Sequence, residues 1–402
     1  MTVRSLQALA DLPRPTPRHL MVAALAALIA FLSTLPGDLA QPGCMTLAVS
    51  GLAILGWIGT RIPESLVALA AVLVLVLTGV LTEAQLFAAL GSELIWLLLS
   101  AFVIAAVARE AGLTQRLVAP LLARGMRVLP FFLCLTLAIA ATGFVLPSTS
   151  GRAALLLPVF AAIAVALPDP GLKRPLALLF PTVILLSAGG SLIGAGAHLL
   201  AAQAIRRATG IHLGYLEWAA LGLPFSLLAS LIGAGLILWI FVPRKALLAP
   251  LPRIATPAPD PASRARQGRI ALVLALVVGL WLSAGLHGIG MALVALIGAL
   301  VLLTPPFTSR KPKEIFRAVD TELLLYMTAT VLIAEAMVAT GTDRWLAGHG
   351  LAVLPARLSG SLPAVVALLS LVAVAAHLAI TSRSARAAVL IPAVALPLAA
   401  LG

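Results

Sequence analysis

Apolar residues run in blocks of membrane-spanning length from about Leu20 onward, separated by short polar or glycine-rich stretches. A helix that crosses a bilayer needs roughly 20 predominantly apolar residues. Blocks at about 20–36, 45–60, 65–82 and 94–108 open the chain, and others follow at 219–242, 270–286, 288–303 and 323–339. The pattern predicts an all-α polytopic membrane protein. No convincing small-residue cleavage site follows the first block, so it is expected to stay as a helix rather than be removed as a signal peptide.

Other blocks are interrupted. Apolar residues 128–146 run into Pro147 and a serine cluster, then resume from Ala153 to Leu167. The phrase there, Ser148-Thr149-Ser150-Gly151-Arg152-Ala153-Ala154-Leu155-Leu156-Leu157-Pro158, returns as Ser382-Arg383-Ser384-Ala385-Arg386-Ala387-Ala388-Val389-Leu390-Ile391-Pro392. Block 176–205 is broken by Ser187-Ala188-Gly189-Gly190-Ser191 and Gly194-Ala195-Gly196. Polar groups inside a membrane are costly and commonly mark a substrate or ion path. Their recurrence in two halves of one chain points to a carrier whose site lies where the halves meet.

Charge then gives an orientation. The chain is 61% hydrophobic and 10% charged with a net charge of +13; in a membrane protein such basic excess collects in cytoplasmic loops. No basic helix or aromatic platform accompanies it, so nucleic acid is not an expected partner. Arg4, Arg14 and Arg18 place the N-terminus inside, and Arg109, Arg116, Arg124 and Arg127 fall in one inner loop. Lys173 and Arg174 follow the first serine cluster, which predicts an inner re-entrant hairpin over 128–167; a pair of full spans turning at Pro147–Arg152 is the alternative. Arg206 and Arg207 fall outside, against the rule. Arginine far outnumbers lysine and alanine is abundant, which suggests a bacterial source and hence a cytoplasmic (inner) membrane location.

Ser92-Glu93-Leu94 and Gly112 match Thr321-Glu322-Leu323 and Gly341 at one constant interval. Arg310, Lys311 and Lys313 lie inside, so 323–339 crosses outward where 94–108 crosses inward. The expected organisation is an inverted repeat: N-terminal spans 1–92, a first repeat 93–242, a basic cytoplasmic linker 243–269, and a second repeat 270–402 whose outer re-entrant hairpin covers about 361–402. Only 18 residues follow Ser384, and the counterpart of 176–242 is absent, so the second repeat is expected to be incomplete.

The chemistry expected of these features is anion binding. Helix N-termini and free backbone N–H groups at a re-entrant tip suit a carboxylate, sulfate or phosphate. The hydroxyls of Ser148, Thr149, Ser150, Ser382 and Ser384 add hydrogen-bonding groups, and Arg152, Arg383 and Arg386 add fixed charge that can hold an oxyanion. Either Arg152 or Arg386 can instead pair with Glu93, Glu322 or Glu335, or cap carbonyls. The backbone at Gly189, Gly190 and Gly194 either approaches a ligand closely or packs tightly against a neighbouring helix. His198 and His377 are open to proton relay or to simple packing. Cys44 and Cys134 suggest neither a disulfide framework nor a metal site, and no catalytic constellation points to an enzyme.

The two clusters resemble the paired Ser-Asn-Thr motifs of the divalent anion/sodium symporter family, carriers of dicarboxylates, citrate and sulfate. Leu192-Ile193-Gly194-Ala195-Gly196-Ala197-His198, Leu216-Glu217-Trp218 and Leu223-Pro224 resemble that family's Gly-Thr-Pro-Pro-Asn loop and following helix, and Ile95–Gly112 the span before its inner hairpin. The resemblance covers roughly 45–402. It implies an elevator-type fold with scaffold and transport domains, a homodimer, substrate binding at both clusters, and a sodium ion near Ser148, Thr149 and Gly194. Thr149 and Arg383 stand where the family has asparagine, and a cation at Arg383 could take the place of a sodium ion. Coupling to sodium, to protons, or exchange therefore all stay open. The expected function is secondary transport of small divalent organic anions or sulfate. The alternatives are a regulatory or truncated membrane subunit without transport of its own, and a related cation/proton or metalloid transporter.

Overall fold

The structure, a computed structural model, describes Ala27 and residues 37–113, 125–167, 169–251, 260–352, 361–379 and 383–391. The span expected at 20–36, apart from Ala27, and the cluster residue Ser382 lie outside them.

Helices α1 (Gln41–Gly59), α2 (Glu64–Leu77), α3 (Glu83–Leu90) and α4 (Glu93–Glu110) come first. α5 (Val128–Ala141) ends in a 3-10 turn, Thr142–Phe144, and α6 (Thr149–Ala166) follows after a short link. α7 (Lys173–Leu186) breaks into the 3-10 turns Ser187–Gly190 and Leu192–Gly194 before α8 (Gly196–Thr209). Next come α9 (Tyr215–Phe241), α10 (Pro261–Leu282), α11 (Met291–Leu302) and the short α12 (Pro312–Phe316). The order closes with α13 (Thr321–Ala339), α14 (Thr342–Ala352), α15 (Leu362–Ala379) and α16 (Arg383–Leu390). Among the described residues, seven helical stretches are long and apolar enough to cross a membrane. The chain is an all-α polytopic membrane protein.

Two expected boundaries move, and each move has a local cause. The basic linker ends at Asp260 rather than 269, because Asp260 caps α10: its carboxylate accepts the Ser263 N–H at 2.6 Å and Pro261 occupies the first helical position. That hydrogen bond holds the Asp260 carboxyl below its ordinary range. Similarly, the helix that follows the serine cluster begins at Thr149 rather than Ala153. Ser148 is its N-cap, in extended conformation (φ −140°, ψ 133°), so most of the serine cluster is a first helical turn instead of a loop.

The chain divides into two compact units, Leu90–Met327 and the remainder on either side of it. In the latter, Trp57 donates to the Glu64 carbonyl at 3.2 Å across the α1–α2 turn. Thr342, which opens α14, donates to the Gly43 carbonyl of α1 at 3.2 Å.

The unit Leu90–Met327 holds two helix groups. In the first, Phe132, Leu135 and Ile139 of α5 and Leu156, Val159 and Ile163 of α6 are buried against Leu176, Leu179 and Val183 of α7 and Ala234 and Leu238 of α9. In the second, Ile104 and Val107 of α4 pack with Ile270 and Leu274 of α10, Ala299 and Leu302 of α11, and Ile315 of α12. An ion pair braces the second group: Arg266 donates to Glu110 Oε1 and Thr308 to Glu110 Oε2, each at 2.7 Å, while Arg266 Nε donates to the Phe307 carbonyl at 2.7 Å.

Local structure repeats along with the sequence. α4 and α13 each end two residues before a glycine with φ 69°, Gly112 and Gly341, at the same interval that relates Glu93 to Glu322. In the same way the interval from Ser148 to Ser382 also separates Val128 from Leu362 and Thr149 from Arg383, the starts of the helices on either side of each cluster.

Candidate functional site

The first serine cluster is organised as a helix start. Ser148 Oγ accepts the Gly151 N–H at 3.3 Å and shares a 2.8 Å hydrogen bond with Ser150 Oγ. The N–H groups of that first turn have no partner within the helix, and the helix dipole adds partial positive charge.

Ser148, Ser150 and Gly151 line a cavity of about 290 Å³. Its opposite wall is α4, through Phe102, Ala105 and Arg109, and Ala318 and Asp320 close one edge. The cavity therefore lies between the two helix groups of this unit. Its apolar floor includes Leu146 and Leu155, buried against Ala105. Asp320 Oδ1 accepts the Leu323 N–H at 3.0 Å and so caps α13, while its carboxylate stays charged on the cavity edge. The arrangement offers hydroxyls, a helix N-terminus and one guanidinium to a small anion, and apolar contact to its carbon chain.

Arg152 faces elsewhere. Its side chain is fully buried and donates to the Ile139 carbonyl at 2.9 Å, the Ile184 carbonyl at 3.0 Å, Thr142 Oγ1 at 3.0 Å and Ser187 Oγ at 2.8 Å. It ties α6 to the ends of α5 and α7, so the structure gives it the carbonyl-capping role.

The glycine-rich break is a packing device. A Cβ on Gly222 of α9 would fall 2.2 Å from the Gly189 carbonyl oxygen, and one on Gly194 would fall 2.3 Å from the Ala188 carbonyl oxygen. A Cβ on Gly190 would press on Leu223 at 3.2 Å. Trp218 Nε1 donates to the Gly189 carbonyl at 3.0 Å, and Tyr215 Oη and Ser191 Oγ are 3.2 Å apart. His198 is part of the same clamp: its Nδ1 lies 3.1 Å from the Ser191 carbonyl and its ring rests on Trp218. A Cβ on Gly189 would meet Ser226 Oγ of α9 at 2.8 Å, so Gly189 and Gly190 pack closely on α9, whereas Gly194 folds tightly against Ala188 within the break itself.

In the other unit, Arg383 and Ser384 begin α16, and Arg383 and Arg386 are half-buried. His377 lies exposed near the end of α15. Arg109 and Asp320 belong to no repeated motif, and in the sequence Arg109 is one of several basic residues flanking an inner loop.

A second cavity, of about 470 Å³, lies at the other end of α4. Glu93, Glu217, Arg206 and His212 line it together. Arg206 and Glu93 are 4.0 Å apart with side chains 59% and 80% exposed, a pair of little energetic weight. Two carboxylates against one arginine do not select an anion, so the smaller serine-lined cavity is the better candidate.

The family described as citrate transporter matches residues 52–402. The chain is 27% identical over 347 residues to dicarboxylate transporter 1, a chloroplastic protein of Spinacia oleracea, covering 82% of this chain and 57% of that one. It is 24% identical over 338 residues to YflS of Bacillus subtilis (strain 168), a protein named for malate transport, covering 81% of this chain and 70% of the relative. The chain thus spans little more than half the length of the spinach protein.

Proposed function

Because this chain belongs to the citrate transporter family, we propose that it carries small di- or tricarboxylates across a bacterial cytoplasmic membrane, binding them in the cavity at the start of α6. The observation that carries this reading is the juxtaposition of Ser148, Ser150 and the first turn of α6 with Arg109 in one cavity. The names of the two relatives support the substrate class. Sulfate, with the same charge, belongs to the same proposal.

In this reading 128–167 is an inner re-entrant hairpin and 361–402 its outer, inverted counterpart. The cavity meets the Arg109 end of α4, which the basic loops make cytoplasmic. A carrier that alternates access would move the hairpin group, α5 to α9, past the group of α4, α10 and α11. The protein works as a homodimer, and Thr149 and Arg383, in place of asparagines, weaken its need for sodium.

The test is uptake of labelled malate, citrate and sulfate into proteoliposomes under imposed anion, proton and sodium gradients. Accumulation of malate or citrate, lowered by Ser150→Ala, is expected. No accumulation under any gradient contradicts the proposal.

A further inference from the structure

We infer that Arg109, at the last turn of α4, is the cation that recognises a carboxylate of the substrate, so that the site prefers dianions to monoanions. The inference rests on the binding reading above and assigns a residue to it. Among the described residues lining the serine cavity, Arg109 is the only cation. The arginine that the repeated motif singles out, Arg152, is buried in its own set of hydrogen bonds to Ile139, Ile184, Thr142 and Ser187.

Of the neighbouring acids, Glu110 is neutralised by another cation and Asp320 stands on the cavity edge as a helix cap. Glu110, next in sequence, is held by Arg266 and Thr308 at 2.7 Å each. Asp320, on the cavity edge, accepts from the Leu323 backbone. Arg109 itself is exposed at the end of its helix, where a guanidinium can meet an incoming carboxylate in a two-point hydrogen bond. A four-carbon dianion can then place one carboxylate at Arg109 and the other at the first turn of α6, with its chain along Ala105, Leu146 and Leu155. A monocarboxylate satisfies one end only. The cation is also on the opposite wall from the serines, in the other helix group, so binding the dianion bridges the two groups.

The same guanidinium also suits the C-terminal end of a helix, where cations complement the dipole. The experiment separates the two roles. Arg109→Gln and Arg109→Lys are compared with wild type in proteoliposomes, with malate and lactate presented on the face to which the cavity opens. Expected for Arg109→Gln is a KM for malate about ten-fold higher, as for loss of one charge-assisted contact, with little change in kcat and in ligand-free Tm, and a lower preference for malate over lactate. Arg109→Lys is expected to restore most of the affinity.

A malate KM within two-fold of wild type in Arg109→Gln, alongside a raised KM in Ser150→Ala, overturns the role of Arg109 and leaves the serine site standing. Unchanged KM in both variants overturns the site as well. If wild type moves no malate, calorimetric titration of purified protein with malate decides. Binding weakened about ten-fold by Arg109→Gln supports the inference, and absence of binding overturns it.

Discussion

Arg152 Nη1 donates to the carbonyl oxygen of Ile184 at 3.0 Å, and this bond fixes α6 to the last turn of α7. Nη2 reaches Ile139 and Ser187 from the same guanidinium. Gly143 lies close beside it; a Cβ there would sit 3.3 Å from Nη1. Arg152→Gln should therefore cost about 3 kcal/mol or more, because buried carbonyls and hydroxyls lose a charged donor. The check is the ligand-free unfolding midpoint in detergent. An unchanged midpoint, together with lost malate binding, would return Arg152 to the substrate.

The crossing of the break with α9 leaves no room for one methyl group. Gly222→Ala should destabilise by about 1–3 kcal/mol through overpacking against the Gly189 carbonyl. Gly235→Ala, on the same helix with nothing within 4 Å of the added Cβ, should be neutral or slightly stabilising. Equal effects in thermal denaturation would show that the close approach is not what holds these helices.

Trp218 gives the break a hydrogen-bond partner that its irregular backbone requires. Trp218→Phe keeps most of the ring but removes the donor to Gly189. A loss of about 1 kcal/mol is expected, with faster amide hydrogen exchange confined to residues 187–194. Exchange rates equal to wild type there would mean that the indole N–H contributes nothing to holding the segment.

Arg383 occupies the first helical turn of α16 where a symporter of the resembled family has asparagine. On the proposal that the side chain serves in place of a coupling ion, Arg383→Asn should make malate uptake more dependent on sodium. Uptake with the same sodium response as wild type would remove that role.

Much of the fold was legible because the membrane imposes a simple rule on sequence. Spans near 45–60, 94–108, 219–242 and 323–339 emerge as α1, α4, α9 and α13, and the break near 187–196 is where the helix breaks. Helix starts were less visible: Ser148 and Asp260 extend helices backward through side-chain caps that apolar blocks do not register. The site was half legible. Ser148 and Ser150 stand out as hydroxyls in apolar sequence, and they line the cavity. The motif could not show that Arg152 points into helix ends, since Ile139, Ile184 and Ser187 are brought to it only by packing. Nor could it show that Arg109, one of several arginines flanking an inner loop, faces the serines.

The most direct test of the proposed site is chemical modification at Ser150. With Cys44 and Cys134 replaced, Ser150→Cys is reacted with a small maleimide in the presence of rising malate or citrate, with gluconate as a monoanion control. The account predicts that the dicarboxylate or tricarboxylate slows modification in a saturable way while gluconate does not. A modification rate unchanged by malate and citrate would contradict it.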